Sequence, residues 1–252
     1  MKRIILLISA IALLFTSCDK DPIPTYLTIH FTHTVDGIPL ELTTTNSELP
    51  YTNAAGQNYN IKTLQYLVSN FQMHGDFGGF YEEKVYFVDA AIPSTLKIEL
   101  GELTNNSSHD DLQFNIGVPH NMNISNNYVN EDFHTTMAWP DMMGGGYHYM
   151  ILEGNFDNDT TFYNTHTGGF IPGWISRGIG IREGCPSFDM INFNVDDELG
   201  NVEITLNMEL NKWYNSPDII SLTSDGIMGN DSIQAILMNN GSCIFSNSVV
   251  YE

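Results

Sequence analysis

The chain has 252 residues, 42% of them hydrophobic, which is enough to bury a sizeable core. Its 30 acidic and 9 basic side chains give a formal charge of −21, a field that repels nucleic acid and anionic lipid headgroups and favours cations or a basic partner. No HExxH, GxSxG or P-loop run is present to mark a hydrolase or nucleotide site, and Asp/Glu pairs are too common in so acidic a chain to identify one.

Residues 1–17 read as a bacterial secretion signal: Lys2 and Arg3, an apolar run from Ile4 to Phe15, then small residues. The run is short for a transmembrane helix. Phe15-Thr16-Ser17-Cys18 is close to a lipobox, with Phe at the usual Leu position, so Cys18 is the expected lipidation site. Residues 18–25 form the lipidated Cys and its polar tether, and 26–252 a single β domain. The expected location is the bacterial outer membrane, on its periplasmic or surface side, held by the lipid alone. Loss of residues 1–17 leaves 235 residues, and loss of Lys2 and Arg3 takes the charge from −21 to −23.

The domain reads as short strands between polar loops. YLTIHFTHTV (Tyr26 to Val35) alternates, with Leu27, Ile29 and Phe31 on one face and Thr28, His30 and Thr32 on the other. TLQYLVSNFQMH, VYFVDA, TLKIEL, LQFNIGV, YHYMILEGNF, FYNTHTGGF, MINFNV and VEITLNMEL follow, rich in Val, Ile, Phe, Tyr and Thr. TLQYLVSNF fits a helical period equally well. DSIQAILM (Asp231 to Met238) predicts a helix capped by Asp231 and ended by Asn239-Asn240-Gly241. The fold class is therefore all-β, a sandwich-like single domain with one or two short helices. Beyond Cys18, only Cys185 and Cys243 remain, and in an oxidising compartment one disulfide is the simplest reading; a copper thiolate is the other.

MAWPDMMGGGYHYMILEG (Met137 to Gly154) places soft and aromatic side chains on a glycine hinge. Trp139-Pro140 restricts the backbone, and Gly144-Gly145-Gly146 suits a turn or a close approach. His148 starts the following strand, beside the loop carrying Trp139, Met142 and Met143. In FYNTHTGGF, His166 ends a strand just before Gly168-Gly169. Two imidazoles at the mouths of consecutive strands converge if those strands form a hairpin. Imidazole suits copper in both common oxidation states, and a thioether favours Cu(I). The competing reading is a loop whose Met and Trp cover one end of the core. His33 continues the inward face of its strand and is a further candidate ligand, ahead of His30. His74, His109, His120 and His134 lie in loop-like sequence and read as solvated. The acidic runs Phe156-Asp157-Asn158-Asp159 and Asp196-Asp197-Glu198 lack the spacing of a calcium loop and read as turns. Arg177 and Arg182 show no anion-site pattern.

In chain order, FTHTVDGIPLEL, TLQYLVSNFQM, VYFVDA, LQFNIGVP, Met137-x-Trp139, Gly146-Tyr147, Leu152-Glu153-Gly154 and His166 with Gly168-Gly169 resemble the segments of the MbnP-like copper-binding family. The resemblance implies a β-sandwich-like fold that binds copper through two histidines and a tryptophan oxidised to kynurenine. It also implies a di-haem peroxidase-like partner, MbnH, as the oxidant. Carried over, Trp139 is the modified residue, His166 a ligand, and His148 a second ligand by its place next to Gly146-Tyr147. The chain departs from the family at Asp141, where a second Trp is frequent, and in a longer loop holding Met142 and Met143. Two readings of Trp139 follow: a modified ligand, or an intact ring that shields a site of imidazole and thioether.

The expectation is thus a non-enzymatic, lipid-anchored copper-binding protein. A metal-free surface lipoprotein that binds a glycan or a protein through exposed Trp139, Trp174 and Trp213 is the alternative. A zinc hydrolase would need a third ligand and a general base that the spacing does not offer.

Overall fold

The computed structural model describes residues 23–44, 48–105, 107–158, 160–168, 179–181, 188–189, 191–195 and 200–251. The described strands, in chain order, are β1 (Tyr26–Val35), β2 (Ile38–Pro39), β3 (Tyr51–Thr52), β4 (Asn58–Tyr59), β5 (Thr63–Gly75), β6 (Phe80–Asp89) and β7 (Lys97–Glu102), then β8 (Ser107–Ile116), β9 (His148–Asn155), β10 (Phe162–Gly168), β11 (Ile179–Ile181), β12 (Asn192–Val195), β13 (Val202–Glu209) and β14 (Phe245–Tyr251). The helices are α1 (His134–Met137), α2 (Lys212–Asn215) and α3 (Asp231–Gly241).

Alternation drives the architecture. Every second residue of β1 and β13 is buried and, His33 apart, apolar, so the sheet they form has one face that must meet another sheet. That five-stranded sheet runs β14-β13-β1-β2, with β7 also on β1, and β1 lies parallel to β13. A seven-stranded sheet packs against it. β5 is its spine, pairing with β6 along one edge and with β9 and then β8 along the other; β10 flanks β9, and β11 and β12 flank β8. Between the sheets lies the main core, in which Phe31, Tyr66, Phe71, Phe114 and Phe245 meet ring against ring. The fold is the all-β sandwich that the strand pattern predicts.

The seven-stranded sheet is covered on its outer face as well. Leu67, Val85 and Ile151 project there and meet Val118, Phe133, Met137 and Tyr147 from the segment between β8 and β9. Burying each such side chain stabilises by roughly 1.5–3 kcal/mol, which holds the segment down as a lid. Tyr147 fastens it further, since its hydroxyl accepts from Tyr128 N at 2.9 Å and shares a hydrogen bond with His134 Nδ1 at 2.9 Å.

TLQYLVSNFQMH is strand, the first of its two readings, because both its faces are covered and the apolar run follows burial rather than a helical period. Other expectations need correction. There are three described helices rather than one or two, α1 and α2 being single turns. Asn230, not Asp231, caps α3: its side chain accepts from Ile233 N at 3.1 Å, and the helix continues to Gly241. His109 is not solvated; it sits on β8, fully buried and stacked on Phe193. The signal, Cys18, Trp174, Arg177, Arg182, Cys185 and Asp196 to Glu198 lie outside the described residues.

Candidate metal centre

Alternation alone would separate the two histidines. His166 pairs with Ile151 across the β9–β10 hairpin, so the two share a face. His148 lies three residues before Ile151, an odd number, and in a regular strand would point the other way. The register breaks between Thr167 and Gly168: Thr167 faces Met150, Gly168 faces His148, and Tyr149 is left over. One extra residue shifts the phase of β9 by one, which is what a β-bulge does. The imidazoles of His148 and His166 therefore meet edge to face, centroids 5.0 Å apart with an 83° interplanar angle.

The glycine hinge sets the third ring. Trp139 N donates to Gly146 O at 2.9 Å, so residues 138–147 close into a tight loop with one turn of 3-10 helix at Asp141–Met143. Gly144, Gly145 and Gly146 all have positive φ (106°, 69° and 86°), a run that residues with a Cβ rarely tolerate. Ser125 and Asn123 clamp this loop, Ser125 Oγ donating to Asp141 Oδ1 at 2.6 Å and Asn123 Oδ1 accepting from Tyr147 N at 2.8 Å. Trp139 is thereby set edge-on against His148, ring centroids 4.8 Å apart with a 63° interplanar angle. Gly168 makes room for it, since a Cβ there would lie 2.9 Å from the indole Cε3 and 2.8 Å from His148 Cα.

Hydrogen bonding leaves one nitrogen of each imidazole without a partner. His148 Nδ1 lies 3.2 Å from Met137 O; a carbonyl only accepts, so Nδ1 carries the proton and Nε2 the lone pair. That Nε2 is buried and unpaired. His166 Nε2 lies 2.8 Å from Glu153 Oε1, and its Nδ1 is also buried and unpaired. Burial, then the neighbouring His166, pushes the His148 pKa down to about 4, so the ring is neutral at pH 7. The hydrogen bond from His166 holds the Glu153 pKa below the usual carboxylate value. Eight other described side-chain atoms are also buried without a partner, His109 Nδ1 among them; what sets these two nitrogens apart is that their rings adjoin, so that a single ligand would satisfy both.

The other candidates lie differently. Met142 is 93% exposed and points into solvent. Met143 contributes its backbone carbonyl, which accepts from Trp139 Nε1 at 3.1 Å, while its thioether methyl packs toward Gly229. His33 belongs to the opposite sheet, where its Nε2 shares a 3.0 Å hydrogen bond with Tyr66 Oη. Trp139 and Trp213 are buried rather than exposed, which removes two of the three rings on which a glycan surface depended. Among the described residues no three or more His, Cys, Asp or Glu side chains converge. A catalytic zinc takes three protein ligands, so the pair fits that metal poorly. Sequence reasoning missed Glu153 as a partner of His166. Counting the hairpin register would have found it, because Glu153 is two residues on from Ile151, on the same face.

The family model for MbnP matches residues 24–233. Among solved structures, the chain is similar to MbnP from Methylosinus trichosporium, at 12% identity and a TM-score of 0.51, over 90% of this chain and 99% of that one; at this identity the likeness is one of fold. Comparison with curated proteins gives no match.

Proposed function

The chain belongs to the MbnP family, and on that premise we propose that it is an exported, non-enzymatic copper-binding protein whose ligands are His148 and His166. The supporting observation is the pair of buried, unpartnered imidazole nitrogens on rings 5.0 Å apart. Neutral imidazole is a good donor to copper in either common oxidation state. The acidic surface raises the local concentration of cations.

In this reading Trp139 serves the site in one of two ways. Its oxidation to kynurenine by a di-haem peroxidase-like partner, of the MbnH kind, would add polar groups beside His148. Left intact, it is a ring that keeps water from the metal, and its burial at 4% exposure suits that task. Cys18 carries the lipid that tethers the domain to the outer membrane, and Cys185 and Cys243 form its one disulfide.

The test is bound-metal analysis with intact mass on protein taken from its own cell envelope. One copper per chain, lost in the H148A/H166A double variant, supports the proposal. A mass change localised to Trp139 supports kynurenine. No copper after incubation with either oxidation state refutes the proposal.

A further inference from the structure

We propose that Glu153 is the positioning residue of this centre, fixing Nδ1 as the atom of His166 that meets the metal; the inference rests on the two-histidine reading above. Glu153 lies on β9 opposite Asn164 and is the diagonal neighbour of His166 on one face of the hairpin. Its Oε1 is 2.8 Å from His166 Nε2. From the other side Thr63 of β5 pairs with Glu153 in register, and its hydroxyl hydrogen-bonds the same carboxylate. A carboxylate so held is an acceptor only, so His166 Nε2 carries the ring proton. The lone pair is then left on Nδ1, the atom that is buried without a partner.

The two histidines are therefore presented in opposite senses. Met137 O fixes His148 with its lone pair on Nε2, and Glu153 fixes His166 with its lone pair on Nδ1. The nitrogens of one imidazole diverge across the ring, so a carboxylate seated at Nε2 is not on the Nδ1 side and is not itself a third ligand. The backbone is held as well, Gln234 of α3 donating through Nε2 to His166 O at 2.7 Å. With ring and main chain both anchored, His166 meets a metal without reorganising. A hydrogen-bonded carboxylate behind a ligating histidine also makes it a stronger donor.

The experiment pairs two readouts on wild type, E153Q and E153A, each checked for folding by circular dichroism. In the metal-free proteins, nitrogen-15 NMR of the histidine rings reports which nitrogen of His166 holds the proton. A Cu(I) titration against a competing chelator reports affinity and stoichiometry. We expect Nε2 protonation in wild type and in E153Q, whose amide oxygen still accepts. E153A is expected to lose the single tautomer and to bind Cu(I) roughly 10–100-fold more weakly at unchanged stoichiometry, with E153Q falling between. Protonation at Nδ1 in wild type, or unchanged affinity in E153A, overturns the proposal and leaves the two-histidine site standing. Stoichiometric binding that is lost in E153A but kept in H166A makes Glu153 a ligand and overturns it too. A wild type that binds no Cu(I), whatever its ring protonation, overturns the two-histidine reading and with it any role for Glu153 at a metal.

Discussion

Substitution of Gly168 by Ala attacks the joint on which the three rings depend. The residue has φ of +151°, in the region that side chains avoid, and forcing a non-glycine residue there costs about 1–3 kcal/mol. The new Cβ would also lie 2.8 Å from His148 Cα, 2.9 Å from Tyr147 O and 2.9 Å from Trp139 Cε3. Two of those neighbours are backbone atoms and cannot swing aside, so a steric term of about 1–3 kcal/mol adds to the first. The total, on the order of 2–6 kcal/mol, lowers Tm by roughly 5–20 °C for a domain of this size. The relief open to the structure is to push Trp139 off His148 and reopen the bulge, so copper binding should weaken together with stability. Thermal unfolding followed by circular dichroism reads the first effect and a Cu(I) competition titration the second. G180A is the control: its Cβ would meet nothing closer than 3.8 Å, and its stability should stay within about 0.5 kcal/mol of wild type. A G168A protein as stable as G180A would refute the packing described for the site.

Burial, then the nearby His30, pushes His33 down to about 4 from 6.5, so the folded protein holds this ring neutral where the unfolded chain protonates it. That contribution is complete above pH 6.5 and is lost as pH falls toward 4; at about 1.4 kcal/mol per unit it amounts to at most about 3 kcal/mol. Urea unfolding from pH 7 to pH 4 should therefore show a steeper loss of stability in wild type than in H33N, and equal slopes would count against the assignment. Phe133 is 3% exposed on the inner side of the lid, so F133A should cost about 3–5 kcal/mol and raise amide exchange across residues 134–147 before the sheets respond. Met142, exposed to solvent, should be dispensable: M142A is expected to bind copper as wild type does and to lie within about 0.5 kcal/mol of its stability. A large loss of affinity in M142A would mean that the loop folds inward on the metal.

Much of this fold is legible in the sequence because burial is one-sided where the pattern is cleanest. β1 runs from Tyr26 to Val35, as its alternation predicts, and His33 falls on the inward face. β5 was ambiguous because the lid makes both of its faces apolar, and no local period records a cover that comes from fifty residues away. β14 is not legible, since Phe245 to Tyr251 is half polar and owes its strand state to pairing with β13. His148, His166 and Trp139 were identifiable as candidates from the glycine hinge and the hairpin, and the structure brings these three rings together. What brings them together was not legible. A bulge at Tyr149 has no sequence mark here, and without it the histidines would face opposite sides of the sheet. The polar partners were hidden for a related reason. Glu153 needs the register, the Met137 carbonyl needs the loop's path, and Gln234 arrives from a helix more than sixty residues away.

The most direct test of the central claim is a crystal structure of the copper-loaded protein with an anomalous difference map collected at the copper edge. The expected result is one peak shared by His148 Nε2 and His166 Nδ1, beneath Trp139 or its oxidised product. A peak elsewhere on the molecule, with these two nitrogens left unpartnered, would contradict the assignment.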